Sequence, residues 1–163
     1  MEQNSNEFPD VLIGDHELTI DEKNRLLVPS EIRRQLDPTQ SGITLILTVG
    51  NNGRAWLYPE GWYRAIVSKR SRDIEPGFQE QAFNLAHFAR STRLNWDKQG
   101  RILLPEKTLR RTGLEREVTL LCVGDHMEIW NRDTWDRFDE LLMSGATYEE
   151  AAAKLAAGRG PRA

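Results

Sequence analysis

Two short stretches carry the residue types best suited to binding an anion. Asp21-Glu22-Lys23-Asn24-Arg25-Leu26-Leu27-Val28-Pro29 and Asp97-Lys98-Gln99-Gly100-Arg101-Ile102-Leu103-Leu104-Pro105 share one order: an acid, three residues, an arginine, three aliphatics and a proline. A guanidinium stays charged throughout the working pH range, and its planar fork of donors fits a phosphate or the edge of a guanine through paired hydrogen bonds. The same fork fits a carboxylate, so Arg25 and Arg101 have a second reading as partners of Asp21 and Asp97 that close a turn. The readings are compatible, because an aspartate that takes part of the fork orients the rest. Asp21 and Asp97 are themselves repelled by phosphate and are assigned to orienting the turn, with Asn24 and Gly100 supplying its tight backbone. Lys23 and Lys98 are candidate phosphate contacts, set against the ordinary reading of an exposed lysine as solvated surface.

Other reactive residues form no comparable constellation. His16, His87 and His126 fall on separate elements without metal-ligand spacing, and neither a Gly-rich phosphate loop nor a Gly-x-Ser-x-Gly elbow is present. Cys122 lies inside the apolar run Val118–Val123 and reads as a buried strand thiol. Strand alternation sends His126, Asp125 and Cys122 in different directions, so their proximity is read as chance. No enzyme activity, metal, cofactor or small-molecule substrate is expected.

The elements that must hold the two stretches repeat in the same order. Residues 16–20 alternate as a strand, the Asp21–Arg25 turn follows, and Leu26–Val28 returns as its hairpin partner. Pro29 and Ser30 open a short helix to about Leu36, with Ser30 as a possible cap, and Asp37-Pro38 ends it. Residues 43–49 are apolar on both faces, and Gly50-Asn51-Asn52-Gly53 turns them into the strand 54–58, which is followed by a helix carrying Trp62 and Ile66. After the basic Lys69-Arg70 and a break at Glu75-Pro76-Gly77, Phe78, Ala82, Leu85, Ala86 and Ala89 mark an apolar helical stripe. The second half then repeats the plan: strand 93–96, turn, strand 102–104, a helix from Pro105 ended by Gly113, strand 117–123, a turn at Gly124-Asp125, strand 126–130 and a helix around Trp135 and Phe138. The five tryptophans, Trp56, Trp62, Trp96, Trp130 and Trp135, are assigned to packing.

These landmarks divide the chain into a tail at 1–10, a first repeat at 11–63, connecting helices at 64–90, a second repeat at 91–143, and a C-terminal helix with a frayed end at 144–163. Thr147 and Glu150 form a possible capping box for that last helix, whose alanines favour a marginal, solvated helix over a packed one. No apolar run approaches the ~20 residues that cross a bilayer, nor is there a signal-peptide pattern, so a soluble, intracellular protein is expected.

The chain carries 22 basic and 25 acidic residues, a formal charge of −3. Their distribution matters more than their sum. Residues 1–63 hold five basic and ten acidic groups, residues 64–111 hold eleven and five, and residues 112–163 hold six and ten. The middle third is a basic island between acidic flanks, and clustered charge sets the local potential. Arg33, Arg34, Arg110 and Arg111 extend that basic character or are ordinary solvent-facing helix residues; the second reading is favoured.

The order of strand, Asp-x-x-Gly-Arg turn, strand, proline, short Leu-Arg-rich helix, apolar strand, Gly turn and strand resembles the AbrB-type swapped-hairpin DNA-binding module. DKQGRILLPEKTLRRTGL with EVTLLCVGDHMEIWNRDTW, and LTIDEKNRLLVPSEIRRQL with LYPEGW, are similar to the two halves of the MraZ family, across residues 11–143. The resemblance implies a mainly β protein with short helices (α+β): a pseudo-twofold, double-ψ-like swapped-hairpin AbrB β-barrel with helices on its outside. It also implies a cytoplasmic, nucleoid-associated regulator that forms a homo-oligomeric ring and represses a bacterial division and cell-wall gene cluster. Its partner would be double-stranded DNA at repeated promoter sites, contacted through Arg25 and Arg101. Alternatives are an assembly module of the same fold that has lost DNA binding, and an AbrB-type antitoxin regulator. The first turn departs from the family in having Asn24 where glycine is usual, at a conformational cost of about 1 kcal/mol. Its side chain also occupies space near any bound phosphate, so Arg101 is expected to be the tighter contact.

Overall fold

In a computed structural model, which describes residues 11–36, 44–70 and 73–158, the two halves build one core. The first half contributes β1 (Leu12–Thr19), β2 (Arg25–Leu27), α1 (Ser30–Gln35), β3 (Thr44–Val49), β4 (Ala55–Pro59) and α2 (Glu60–Ser68). After α3 (Phe78–His87), the second half follows with β5 (Thr92–Asn95), β6 (Arg101–Leu103), α4 (Glu106–Thr112), β7 (Glu117–Gly124), β8 (Met127–Asn131) and α5 (Arg132–Met143), and α6 (Tyr148–Ala157) completes the described chain. The protein is mainly β with short helices, as expected. The expected stop at Asp37-Pro38, the N-terminal tail and the last residues of the C-terminal tail lie outside the described residues.

The antiparallel sheet has the order β1-β7-β8-β4-β3-β5. Reading the list backwards exchanges β1 with β5, β7 with β3 and β8 with β4, which is the pseudo-twofold relation of the repeat. Each half gives its first strand to the other: β1 pairs along β7, from Leu12 with Gly124 to Thr19 with Glu117, and β5 pairs along β3. β2 and β6 form a separate antiparallel ribbon in which Leu26 faces Ile102. The strand-turn-strand units are therefore not self-paired hairpins, which corrects the reading of β1 with β2. β1 also begins four residues earlier than the alternation indicated, because β7 supplies eight consecutive partners.

Alternation decides which side chains meet. Leu45, Leu47, Ala55, Leu57, Val118, Leu120, Met127 and Ile129 point into one cluster, closed by Leu26, Val28, Ile102 and Leu104 from the ribbon and its flanks. Burying each such side chain contributes roughly 1.5–3 kcal/mol, so the ribbon that carries the two arginines is anchored by the core itself. Pro29 and Pro105 sit at the caps of α1 and α4, and Gly113 ends α4 with φ of 67°. Ser30 is not a cap: it lies inside α1, and its carbonyl and hydroxyl oxygens accept hydrogen bonds from Arg34.

The helices that follow the two repeats behave differently. α6 is not a solvated helix: its Ala151 and Leu155 are buried with Leu121, Trp130 and Phe138 in a second cluster, and Thr147 and Glu150 form the expected capping box. Small alanines allow close approach to α5, which the solvated reading undervalued. α3, by contrast, buries no side chain, and its Phe78 and Leu85 stay 89% and 70% exposed. Trp62 and Trp130 are buried, while Trp96 and Trp135 pack against the clusters. Among the described residues no helix is long and apolar enough to cross a membrane.

Candidate nucleic-acid interface

The two Asp-Arg turns adopt one hydrogen-bonding scheme. In the first, Asp21 Oδ1 accepts from the backbone N–H groups of Lys23 and Arg25, both at 2.9 Å, and Asp21 Oδ2 accepts from Arg25 Nε at 2.8 Å. In the second, Asp97 Oδ1 accepts from the N–H groups of Gln99 and Arg101 at 2.9 and 3.0 Å, and Asp97 Oδ2 from Arg101 Nε at 2.9 Å. The backbone closes each turn identically, with Asp21 N–H donating to Arg25 O and Asp97 N–H to Arg101 O. Both carboxyl groups are held below the ordinary carboxylate value, chiefly by the backbone N–H of the arginine, although desolvation opposes this.

The swap locks the turns to one another. Val28 N–H donates to Gly100 O at 2.9 Å, and Leu104 N–H donates to Asn24 O at 2.8 Å, so each turn is pinned by the strand leaving the other. Asn24 and Gly100 both have positive φ, 61° and 82°, as their shared position requires. Equivalence by position sets Glu22 against Lys98 and Lys23 against Gln99, so the two candidate lysines occupy different places in their turns. Asp21 and Asp97 cap the turn and hold the Nε edge of the fork in one arrangement, which is the turn-closing reading of each arginine.

The side-chain fork remains available on both turns. The bond to aspartate uses the Nε–H of a guanidinium that has five donors, and the Arg25 and Arg101 side chains are 29% and 28% exposed. Arg101 also meets Gln99 Oε1 through Nη2. Lys23 and Lys98 are both exposed at the turn surfaces.

Two further arginines reach these turns that their positions in the chain did not announce. Arg116 donates from Nη1 to Asp21 O at 2.5 Å and to Asn24 Oδ1 at 3.1 Å, crossing from the second half to the first turn. The Asn24 side chain is thus drawn toward Arg116. On the second turn Arg33, held through Nε by Val28 O at 3.1 Å, places its guanidinium against Gly100: a β-carbon there would lie 2.5 Å from Cζ. Arg33 is therefore part of the turn environment, not simply a solvent-facing helix residue. Arg34, Arg110 and Arg111 are exposed on their helices. Residue type alone marked Arg33 as basic; its place over Gly100 follows from the strand swap.

Residues 11–82 and 87–156 match the family model described as "MraZ protein, putative antitoxin-like". The chain belongs to the MraZ family. It is 28% identical over 145 residues to the transcriptional regulator MraZ of Clostridium acetobutylicum, covering 89% of this chain and 99% of that protein. It is 32% identical over 146 residues to the protein of the same name from Pelotomaculum thermopropionicum, covering 89% and 95%, and 32% identical over 126 residues to that of Pediococcus pentosaceus, covering 77% and 85%. These MraZ relatives are named as regulators of transcription and not as enzymes.

The titratable groups away from the turns are arranged for structure. Burial pushes the Cys122 thiol up to about 11, which suppresses thiolate, and the residue is half-buried on β7. His126 does join a cluster, contrary to the chance reading, but with Glu128 in place of Cys122. Its Nδ1 lies 2.6 Å from Asp125 Oδ1 and its Nε2 3.2 Å from Glu128 Oε2, while its ring packs against Trp56 and Tyr58 with centroids 4.4 and 4.9 Å away. Asn52 and Trp130 also donate to Glu128, which ties the β3–β4 turn to β8. Among the described residues no group of three His, Cys, Asp or Glu side chains could hold a metal ion.

Proposed function

We propose that this MraZ-family chain is a sequence-specific DNA-binding transcriptional regulator that presents Arg25 and Arg101 to the duplex, with Lys23 and Lys98 as phosphate contacts. The observation that carries this reading is the pair of equivalent turns, each holding a partly exposed guanidinium to an aspartate through its Nε. Fixing the fork in advance removes part of the entropy cost of binding phosphate or guanine. The named relatives support the regulatory role. In this reading the chain represses a bacterial division and cell-wall gene cluster from the cytoplasm and nucleoid. A homo-oligomeric ring engages repeated promoter sites, and that multivalency offsets the weak binding of a single chain with net charge −3.

Fluorescence anisotropy on labelled DNA from upstream of the chain's own gene tests the contacts. The Arg25→Ala/Arg101→Ala double variant is expected to bind at least about tenfold more weakly and to show a shallower dependence of affinity on salt. Unchanged affinity and salt slope in a variant of wild-type mass would remove these arginines from the interface.

A further inference from the structure

The β2–β6 ribbon turns two leucines away from the core. Leu26 and Ile102, at the centre of each strand, are fully buried, whereas Leu27 and Leu103 are 48% and 59% exposed. Arg25 stands opposite Leu103, and Leu27 stands opposite Arg101. Strand alternation puts these four side chains on one face, with opposed β-carbons about 5 Å apart. The outer face is thus a checkerboard of two guanidiniums and two leucines. Its leucines are equivalent under the repeat, since each lies two positions beyond the arginine of its own turn.

A single exposed leucine needs no explanation. A pair fixed between two arginines is a different case, because the ribbon cannot turn it inward: the opposite face is held in the core through Leu26 and Ile102. The register is pinned at both ends by Val28 N–H on Gly100 O and Leu104 N–H on Asn24 O. Both leucines are therefore placed before any partner arrives, which lowers the cost of ordering them on binding. Shape and charge select the occupant. A two-stranded ribbon fits the major groove of a DNA duplex, and the C5-methyl of thymine is the apolar feature of a base-pair edge there. The arginines beside the leucines favour a polyanion that also offers such apolar groups.

We infer that Leu27 and Leu103 are specificity-determining residues that pack on thymine methyl groups in the major groove, while Arg25 and Arg101 hold phosphate or guanine beside them. The inference rests on the reading of the two turns as DNA contacts and adds which base feature the ribbon between them reads. The leucines carry no charge, so they contribute to the choice of sequence and not to the salt dependence of binding.

Fluorescence anisotropy tests this with two labelled duplexes from upstream of the chain's own gene, one made with thymine and one with deoxyuracil at every thymine. The second lacks only the methyl groups. The wild-type chain is expected to bind it at least about fourfold more weakly, the loss that follows from leaving one methyl group unburied. Leu27→Ala/Leu103→Ala is expected to bind the thymine duplex about as weakly as the wild type binds the uracil one, to treat both duplexes alike, and to keep the wild-type salt slope. The single variants are each expected to fall between, and they carry the test if the pair lowers the melting midpoint. A wild type indifferent to the methyl groups overturns the inference. So does a double variant that still prefers thymine, which places the discrimination elsewhere, or one that binds the thymine duplex like the wild type, which leaves the leucines to a protein partner. In these three cases Arg25→Ala/Arg101→Ala still judges the DNA contacts separately; if that variant binds like the wild type, the DNA face falls and the leucine assignment falls with it.

Discussion

The two halves of this molecule share a backbone plan and differ in what they place around it. At the turns, Asp21 and Asp97 make the same three hydrogen bonds, and Asn24 and Gly100 take the same left-handed backbone. The surroundings diverge: Arg33 fills the space above Gly100, whereas Asn24 keeps a side chain that bonds Arg116. Position for position, Arg33 of α1 corresponds to Leu109 of α4, so the long cation comes from only one of the two helices. The difference teaches that the aspartate and a residue tolerant of positive φ are enough to specify the turn. The neighbouring charge can then vary between halves without altering the geometry that presents the arginine.

The largest test of the shared plan lies beneath the turns. Leu26 and Ile102 face one another across the ribbon and are both fully buried. Leu26→Ala and Ile102→Ala are each expected to cost about 2–5 kcal/mol in urea unfolding, by similar amounts. A cost confined to one of them would break the equivalence of the halves.

A smaller effect should separate the turns themselves. Gly100→Ala forces an L side chain into φ of 82° and sets its β-carbon against the Arg33 guanidinium. The backbone term alone is expected to cost about 1–2 kcal/mol, and Arg33 must swing away in addition. Asn24→Gly relaxes the same backbone position but gives up the bond to Arg116, so its expected change is within about 0.5 kcal/mol. Thermal or urea unfolding reads both. If Gly100→Ala were as mild as Asn24→Gly, the crowding by Arg33 would have no energetic weight and the two turns would be alike.

Much of this arrangement is legible along the chain because it is local. The Asp-x-x-x-Arg spacing, the prolines before α1 and α4, Gly113 and the Thr147–Glu150 capping box each act within a few residues, and each lies where its residue types indicated. The swap is not local: a strand's alternation shows which face is buried but not whether its neighbour is β2 or the distant β7. For the same reason the chain order does not reveal Arg33 over Gly100 or Arg116 on Asn24, which meet across 67 and 92 positions. The apolar stripe of α3 was visible as a period, but a period does not say whether it is buried, and Phe78 and Leu85 stay exposed. The packing of α6 was missed because alanine contributes little by itself and gains its value from the close approach of α5.

The smallest expected effect concerns pH, and it distinguishes the halves most finely. Asp21 and Asp97 have folded pKa values below the ordinary 3.8, so their stabilisation is present above that value and is lost as pH falls through the folded one. Both halves share this acid flank. The alkaline flank belongs to the second half: the β3–β4 turn Gly50-Asn51-Asn52-Gly53 has no titratable side chain, whereas the β7–β8 turn carries His126. Burial disfavours the charged ring, but hydrogen bonds and charge from Glu128 and Asp125 outweigh it and raise the pKa above the ordinary 6.5. Tyr58, stacked on the same ring, is pushed up to about 12 by burial and Asp125 and stays neutral through this range. The cluster's stabilisation is therefore complete below pH 6.5 and declines as pH rises through the folded value of His126. The melting midpoint should fall as pH drops below 6.5, through His87, Glu128, Asp21 and Asp97, whose folded pKa values all lie below the ordinary ones. It should fall again as pH rises above 6.5 through the folded value of His126. His126→Gln should flatten the alkaline fall, because the ring supplies the proton that is lost there, and should also soften part of the acid fall, because His126 helps to hold Glu128 below its ordinary value. A variant that keeps the wild-type decline above pH 6.5 would move the titration to another group and remove this asymmetry between the halves.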